Sequence, residues 1–518
     1  MSWRHPSLAL LALGLCFGEA QADPGALYRE HCAACHGAER LGQIGPALLP
    51  GNLKRLKPAK AEGVIAKGRV QTQMPAFEDR LSEREIAELA AWIYQPTAET
   101  PRWSWDEITA SHRIVTDPAH LPDDPQHQAD PLNLFVVVES GDHHVTVLDG
   151  DRFAPIARFQ SHFALHGGPK FSPDGRFVYF GSRDGWVTKY DLHSLQIVAE
   201  VRAGINMRNI AVSSDGKWVM AGNFLPHSLV ILYAEDLRPF RVVAVNDGKG
   251  NSSRVSAVYD APPRQSFVVA LKDLKEIWEL SYDPEAAPIL GNFVHNHRRG
   301  EEEGIVVAEQ PFGVRRIEVD DYLDDFFFDP SYAEVIGAAR DAKAGQVFNL
   351  DARRKVADLA LSGLPHLGSG ITWLRDGRRV MATPHLKESA VSVLDMESWE
   401  TLAKIETLGP GFFLRSHETS PYAWVDVFFG PDRDAVHVID KQSLEIVKTL
   451  RPAPGKTAAH VEFTRDGRYA LLSVWDMAGE IVVYDALSLE EVRRIPFVKP
   501  SGKYNVYNKI RLSEGTSH

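Results

Sequence analysis

Cys32-Ala33-Ala34-Cys35-His36 is the stretch whose residue types and spacing point most directly to chemistry. Two thiols three positions apart can add across the vinyl groups of a porphyrin, and the imidazole that follows takes one axial position on the iron. This is the attachment sequence of a c-type haem. A zinc site would need two further ligands, and Cys16, the only other cysteine, falls in the leader described below. The reading is therefore haem c, bound covalently through Cys32 and Cys35 and ligated by His36. Met74, in Gln73-Met74-Pro75, is the first methionine after the leader and the expected second axial ligand. A thioether there closes the iron to small molecules and raises its potential.

The elements that must hold this haem are helices. Asp23 to Glu30 can lead into the motif. Leu81 to Trp92 carries a capping box, Ser82 with Glu85, ahead of apolar positions at Ile86, Leu89, Ala90 and Ile93. Residues 23–95 thus read as an all-α cytochrome c domain. Before them, 1–22 read as a cleaved signal peptide: Arg4 and His5, the apolar run Leu8 to Phe17, and the small close Ala20-Gln21-Ala22. That predicts a periplasmic protein. No later stretch offers the apolar length of a membrane span. The net charge of −12 gives no electrostatic reason to bind nucleic acid. Residues 96–131, with Pro96, Pro101, Pro118, Pro122, Pro125 and Pro131, read as a linker with little regular structure, a long ordered tether lying over both domains.

From 132 to 518 one pattern recurs: a β-rich run, an acidic turn, then a return strand. Its markers are Asp149, Asp191, Ala234, Asp283, Asp351, Asp395, Asp440 and Asp485. Asp-Gly turns at Asp174, Asp215, Asp376 and Asp466 fall between strand-like runs. A period of about 45 residues with four short strands is the signature of a propeller, so eight copies predict eight blades. The long interval between Asp283 and Asp351 places an insertion within Pro288 to Arg315, with its Asn296 to Gly304 core as an exposed loop.

A class I cytochrome c, a proline-rich tether and an eight-bladed propeller in one exported chain resemble cytochrome cd1 nitrite reductase. The local motifs that carry the resemblance are Asn133-Leu134-Phe135, the stretch His166 to Asp191, and Lys503-Tyr504-Asn505-Val506-Tyr507-Asn508. It implies a non-covalent d1-type haem in the propeller, its iron held by His166. Its carboxylates would be clamped by Arg208, which matches a family arginine, with Arg183 and Arg340 as weaker candidates.

Departures from the family pattern bear on function. The reductases carry two distal histidines that protonate nitrite. One is kept as His366, in Pro-His-Leu-Gly-Ser-Gly, but Asp320 to Asp329 lacks the other, and His460 is new. This combination resembles the branch of the family that completes the cofactor, oxidising a propionate of dihydro-haem d1 to an acrylate. His366 and His460 are then the catalytic candidates, one as a base of near-ordinary pKa and the other as its partner or as an iron ligand. The implied partners are dihydro-haem d1 as substrate, cytochrome cd1 nitrite reductase as product acceptor and a small redox protein as electron acceptor. Nitrite reduction itself and non-catalytic carriage of haem d1 are the alternatives. His385 and His417 are expected to be structural.

Overall fold

The computed structural model describes residues 23–511 apart from 44, 55, 70–73, 296–301, 309 and 340–343. The expected signal peptide, Arg340 and most of the Asn296 to Gly304 core lie outside the described residues.

Residues 23–69 and 74–96 form one compact unit. Its helices are Pro24–His31, Ala33–His36, Pro58–Lys67 and Glu83–Ile93. Pro24 and Pro58 occupy first-turn positions where a missing N–H costs nothing. Before the last helix, the Ser82 amide donates to the Glu85 carboxylate at 2.8 Å, and the Glu85 amide donates back to Ser82 Oγ at 3.3 Å. The expected apolar face is buried: Ile86, Leu89, Ala90 and Ile93 pack with Leu27, Tyr28, Ile65 and Phe77.

The second unit, 97–511, contains eight antiparallel sheets of the propeller type. The innermost strands, in blade order, are Pro500–Asn505, Lys170–Phe171, Asn206–Val212, Val255–Ala261, Leu323–Phe328, Ile371–Arg375, Leu414–Ser416 and Ala458–Phe463. The first blade is built from both ends of the unit: Pro500–Asn505 pairs antiparallel with Leu134–Glu139, Tyr504 opposite Val136 and Asn505 opposite Phe135. Apolar side chains fill the space between neighbouring blades, as where Val187 and Val198 meet Ile210, Val219 and Val230. Each such residue contributes about 1.5–3 kcal/mol on burial.

The sequence markers have clear physical roles. Asp149 Oδ1 accepts the amides of Asp151 and Arg152 at 2.9 and 3.1 Å, and Asp395, Asp440 and Asp485 repeat the arrangement. The four Asp-Gly pairs turn the innermost hairpins, their glycines at φ between 71° and 80°.

Two expectations are corrected. The proline-rich segment carries regular structure: Ser104 and Glu107 cap the helix Trp105–Ser111, Ile108 is fully buried, and Trp103 Nε1 donates to the Arg202 carbonyl at 2.8 Å. Arg113–Ile114 then adds a fifth strand to the second blade. The two sides of the insertion pair as strands, the second beginning at Glu302, within the stretch expected as loop. Ile289–His295 pairs with Glu302–Ala308, between the third and fourth strands of the fourth blade.

Asn133 latches the ring. Its Oδ1 accepts from the Arg465 amide at 2.9 Å and from Asn505 Nδ2 at 3.1 Å, tying the eighth blade and the closing strand to the first. Asn133→Ala strands both donors, at about 1–3 kcal/mol each. Its thermal melt should fall clearly below the parent's; an unchanged melt would show the latch to be dispensable.

Candidate active site

In the helical unit, His36 Nδ1–H donates to the Pro46 carbonyl at 2.8 Å, which leaves Nε2 as the nitrogen with a free lone pair. Burial lowers the ring's pKa, so it is neutral, as an iron ligand must be. A Cβ at Gly45 would lie 2.7 Å from His36 Cε1 and 2.9 Å from Nδ1, so only glycine lets the chain pass the ring. Cys32 and Cys35 are half-buried on the same turn, with no disulfide between them. Met74 packs against the core of this unit. Arg40, which the sequence did not single out, donates to the carbonyls of Trp92, Ile93 and Gln95, all at 3.1 Å. It caps the last helix and ties it to the haem segment. These residues fit a covalent haem.

In the propeller the candidates meet on the innermost strands and the segments leading into them. His166 Nδ1–H donates to the Arg208 carbonyl at 2.7 Å. Its Nε2 accepts from Arg183 Nη2 at 2.7 Å and Arg208 Nη1 at 3.1 Å. Arg183, Arg208 and His166 are therefore one cluster. Arg208 Nε also donates to the Ser256 carbonyl at 2.7 Å, anchoring the guanidinium between blades.

His366 Nδ1–H donates to the Phe412 carbonyl at 2.6 Å, so its Nε2 carries the lone pair. Burial, with Arg208 and Arg415 nearby, lowers its pKa against the pull of Asp325. His460 is wholly buried between the rings of Phe413 and Tyr504, at centroid distances of 4.7 and 5.0 Å. Neither of its ring nitrogens has a hydrogen-bond partner among the described residues. Burial first, then Lys503, Arg415 and Lys509, hold its pKa well below the ordinary value. Both shifts run toward the neutral imidazole, because the surroundings are buried and rich in cations.

Sequence reasoning missed most of these surroundings. Lys170, Arg415, Lys503, Lys509 and Tyr504 interact electrostatically across the same space. Desolvation lowers Lys170 to about 8 and Lys503 and Lys509 to about 7, and pushes the Tyr504 phenol up to about 12. Arg415 Nε and Glu462 Oε2 are buried without partners among the described residues. Where the reductases are expected to carry a second distal histidine, Asp325 instead accepts from Tyr259 Oη at 2.8 Å and the Gly368 amide at 3.2 Å. His385 is bound to the Ser362 carbonyl and Ser392 Oγ, and His417 to Thr419 Oγ1. Lys503 appeared in the sequence only within a family motif, without a role.

Gly45→Ala should push the His36 ring aside and shift the potential and visible bands of a covalent haem while leaving the propeller's melting unchanged. A redox titration matching the parent's would show that the ring has room to spare.

A family described as Cytochrome D1 heme domain matches residues 129–300 and 286–509. One described as Cytochrome C oxidase, cbb3-type, subunit III matches 19–93. The chain is 57% identical to dihydro-heme d1 dehydrogenase of Pseudomonas aeruginosa over 98% of its own length and 99% of the relative's. It is 24% identical to nitrite reductase of Stutzerimonas stutzeri over 93% and 92% of the two chains. Among solved structures it matches dihydro-heme d1 dehydrogenase NirN in complex with DHE, with a TM-score of 0.88 and 57% identity, covering 94% of this chain and all of the other. With a haem-attachment unit and an eight-bladed propeller that carries His166, His366 and His460, this chain belongs to the dihydro-heme d1 dehydrogenase family.

Proposed function

We propose that this chain oxidises a propionate side chain of dihydro-haem d1 to an acrylate, the closing step in making haem d1. The observation that carries this reading is the buried, cation-rich setting of His366 and His460, in a chain 57% identical to a dihydro-heme d1 dehydrogenase. In the reaction one C–H bond breaks on each of two adjacent carbons, a C=C bond forms, and two protons and two electrons leave, the ferric iron of the substrate and haem c being the two one-electron acceptors that would take them.

His166 Nε2 is the nitrogen suited to the substrate's iron. Its present donors, Arg183 and Arg208, can turn to the substrate carboxylates, for which a guanidinium is the natural partner. Lys170, Arg415 and Lys509 supply further positive charge for a polyanionic ligand. On the distal side His366 offers a lone pair at Nε2, as ligand or base, and His460 offers two ring nitrogens in a water-poor setting. Tyr504, held neutral, can donate a hydrogen bond beside His460. Cys32, Cys35, His36 and Met74 would hold haem c, which supplies a one-electron acceptor when bound. Nitrite reduction is the weaker reading, because a carboxylate, Asp325, occupies the segment where the reductases' second distal histidine is expected.

No helix among the described residues is long and apolar enough to cross a membrane. The leader-like first 22 residues support export to the periplasm. There a cytochrome cd1 nitrite reductase would receive the product, and a small redox protein the electrons.

His366→Ala and His460→Ala should still bind the dihydro substrate. Loss of a general base costs about 10²–10⁴-fold in rate, so at least one of the two should convert it that much more slowly. Parental conversion by both variants, with substrate bound, would overturn the catalytic assignment and favour a carrier.

A further inference from the structure

His366 and His460 enter the channel from different blades, yet one carboxylate governs the backbone around both. Asp426 ends the strand Tyr422–Asp426 of the seventh blade and is 1% exposed. Its Oδ1 accepts the amides of Phe412 at 2.8 Å and Phe413 at 3.1 Å. Its Oδ2 accepts the amide of His460, in the eighth blade, at 3.2 Å.

Each of these bonds has a consequence. The Phe412 carbonyl accepts from His366 Nδ1 at 2.6 Å. A carbonyl can only accept, so this contact sets the His366 tautomer and directs the lone pair to Nε2. The Phe412 and Phe413 rings also pack against His366 and His460, at 4.2 and 4.7 Å. His460 itself sits at a register shift between Ala459 and Val461 with φ of +58°. A left-handed backbone is disfavoured at a residue with a Cβ, so it must be held. Asp426 takes its N–H, and Lys503 Nζ, itself 2.9 Å from Ser473 Oγ, takes its carbonyl.

We propose that Asp426 is the positioning residue of the distal side, fixing through three amides both the carbonyl that orients His366 and the left-handed turn that presents His460. This rests on the reading of His366 and His460 as the distal groups. Asp426 touches neither imidazole and acts through the main chain. A carboxylate suits this role because it offers two diverging acceptor oxygens, whereas an amide offers one.

The test uses the full-length holoprotein carrying Asp426→Asn, Asp426→Ala, His366→Ala or His460→Ala, each titrated with dihydro-haem d1. Asp426→Asn keeps one oxygen for Phe412 and Phe413 and turns an NH₂ toward the His460 amide. Amide-resolved deuterium exchange on the tetrapyrrole-free protein should then show faster exchange at His460 with Phe412 and Phe413 still protected. The bound tetrapyrrole should keep its parental spectrum. Asp426→Ala should shift that spectrum toward the one given by His366→Ala and slow conversion about 10–100-fold, as loss of an outer partner of a ligating histidine does. Parental exchange at His460 in Asp426→Asn overturns the proposal even if the alanine variant fails to fold, and so does a parental spectrum and rate in Asp426→Ala. If His366→Ala and His460→Ala themselves behave as the parent, the distal reading fails instead.

Discussion

Everything in the propeller depends on one act of strand pairing, the docking of Pro500–Asn505 onto Leu134–Glu139. It converts a row of sheets into a ring and removes the free edges that an open array would present. It also delivers chemistry, because the closing strand carries Lys503 and Tyr504 to the channel within three residues of the Asn505 latch. Without it, His460 would lose both the aromatic ring beside it and the ammonium that holds its carbonyl.

The ring creates an interior that water cannot easily enter, and the side chains placed there bear the cost. Lys503 and Lys509 fall to about 7 and the Asp426 carboxyl rises to about 6, all chiefly by desolvation. Buried polar atoms without partners cost about 1–3 kcal/mol each, and His460, Arg415, Glu462 and Asn508 all contribute one or more to the channel region. A fold under selection for stability alone would pair or remove them. Their persistence makes sense if a ligand rich in carboxylates and metal completes the pairing. The same dryness keeps His366 and His460 neutral, so they are available as acceptors but are weaker bases than imidazoles in water.

The parts of this arrangement carried by local chemistry were legible from residue order. The CxxCH motif, the Ser82–Glu85 capping box, the Asp-Gly hairpins and the acidic turn markers each act over a few residues, and each is found where its spacing implied. The blade count followed from repetition of such local signals. The helix and strand of the proline-rich segment did not, because they are held by Ile108 and Trp103 packing on a blade distant in sequence. The channel was legible only where a family motif marked it. Lys170, Asp325, Arg415 and Lys509 lie in four separate stretches, and ring closure brings them together. Asp426 is the extreme case: it looks like any strand-end aspartate, and its importance lies in three amides, two of them more than ten residues back and one in the next blade.

The claim that binds these features together is that the channel removes hydrogen from a tetrapyrrole side chain and does not merely store or carry it. Anaerobic incubation of the holoprotein with dihydro-haem d1, followed by extraction and mass spectrometry, tests this directly. The account predicts a product lighter by two hydrogens, with a red-shifted spectrum, formed as the c haem becomes reduced. Recovery of bound tetrapyrrole at its original mass, with the c haem still oxidised, would contradict it.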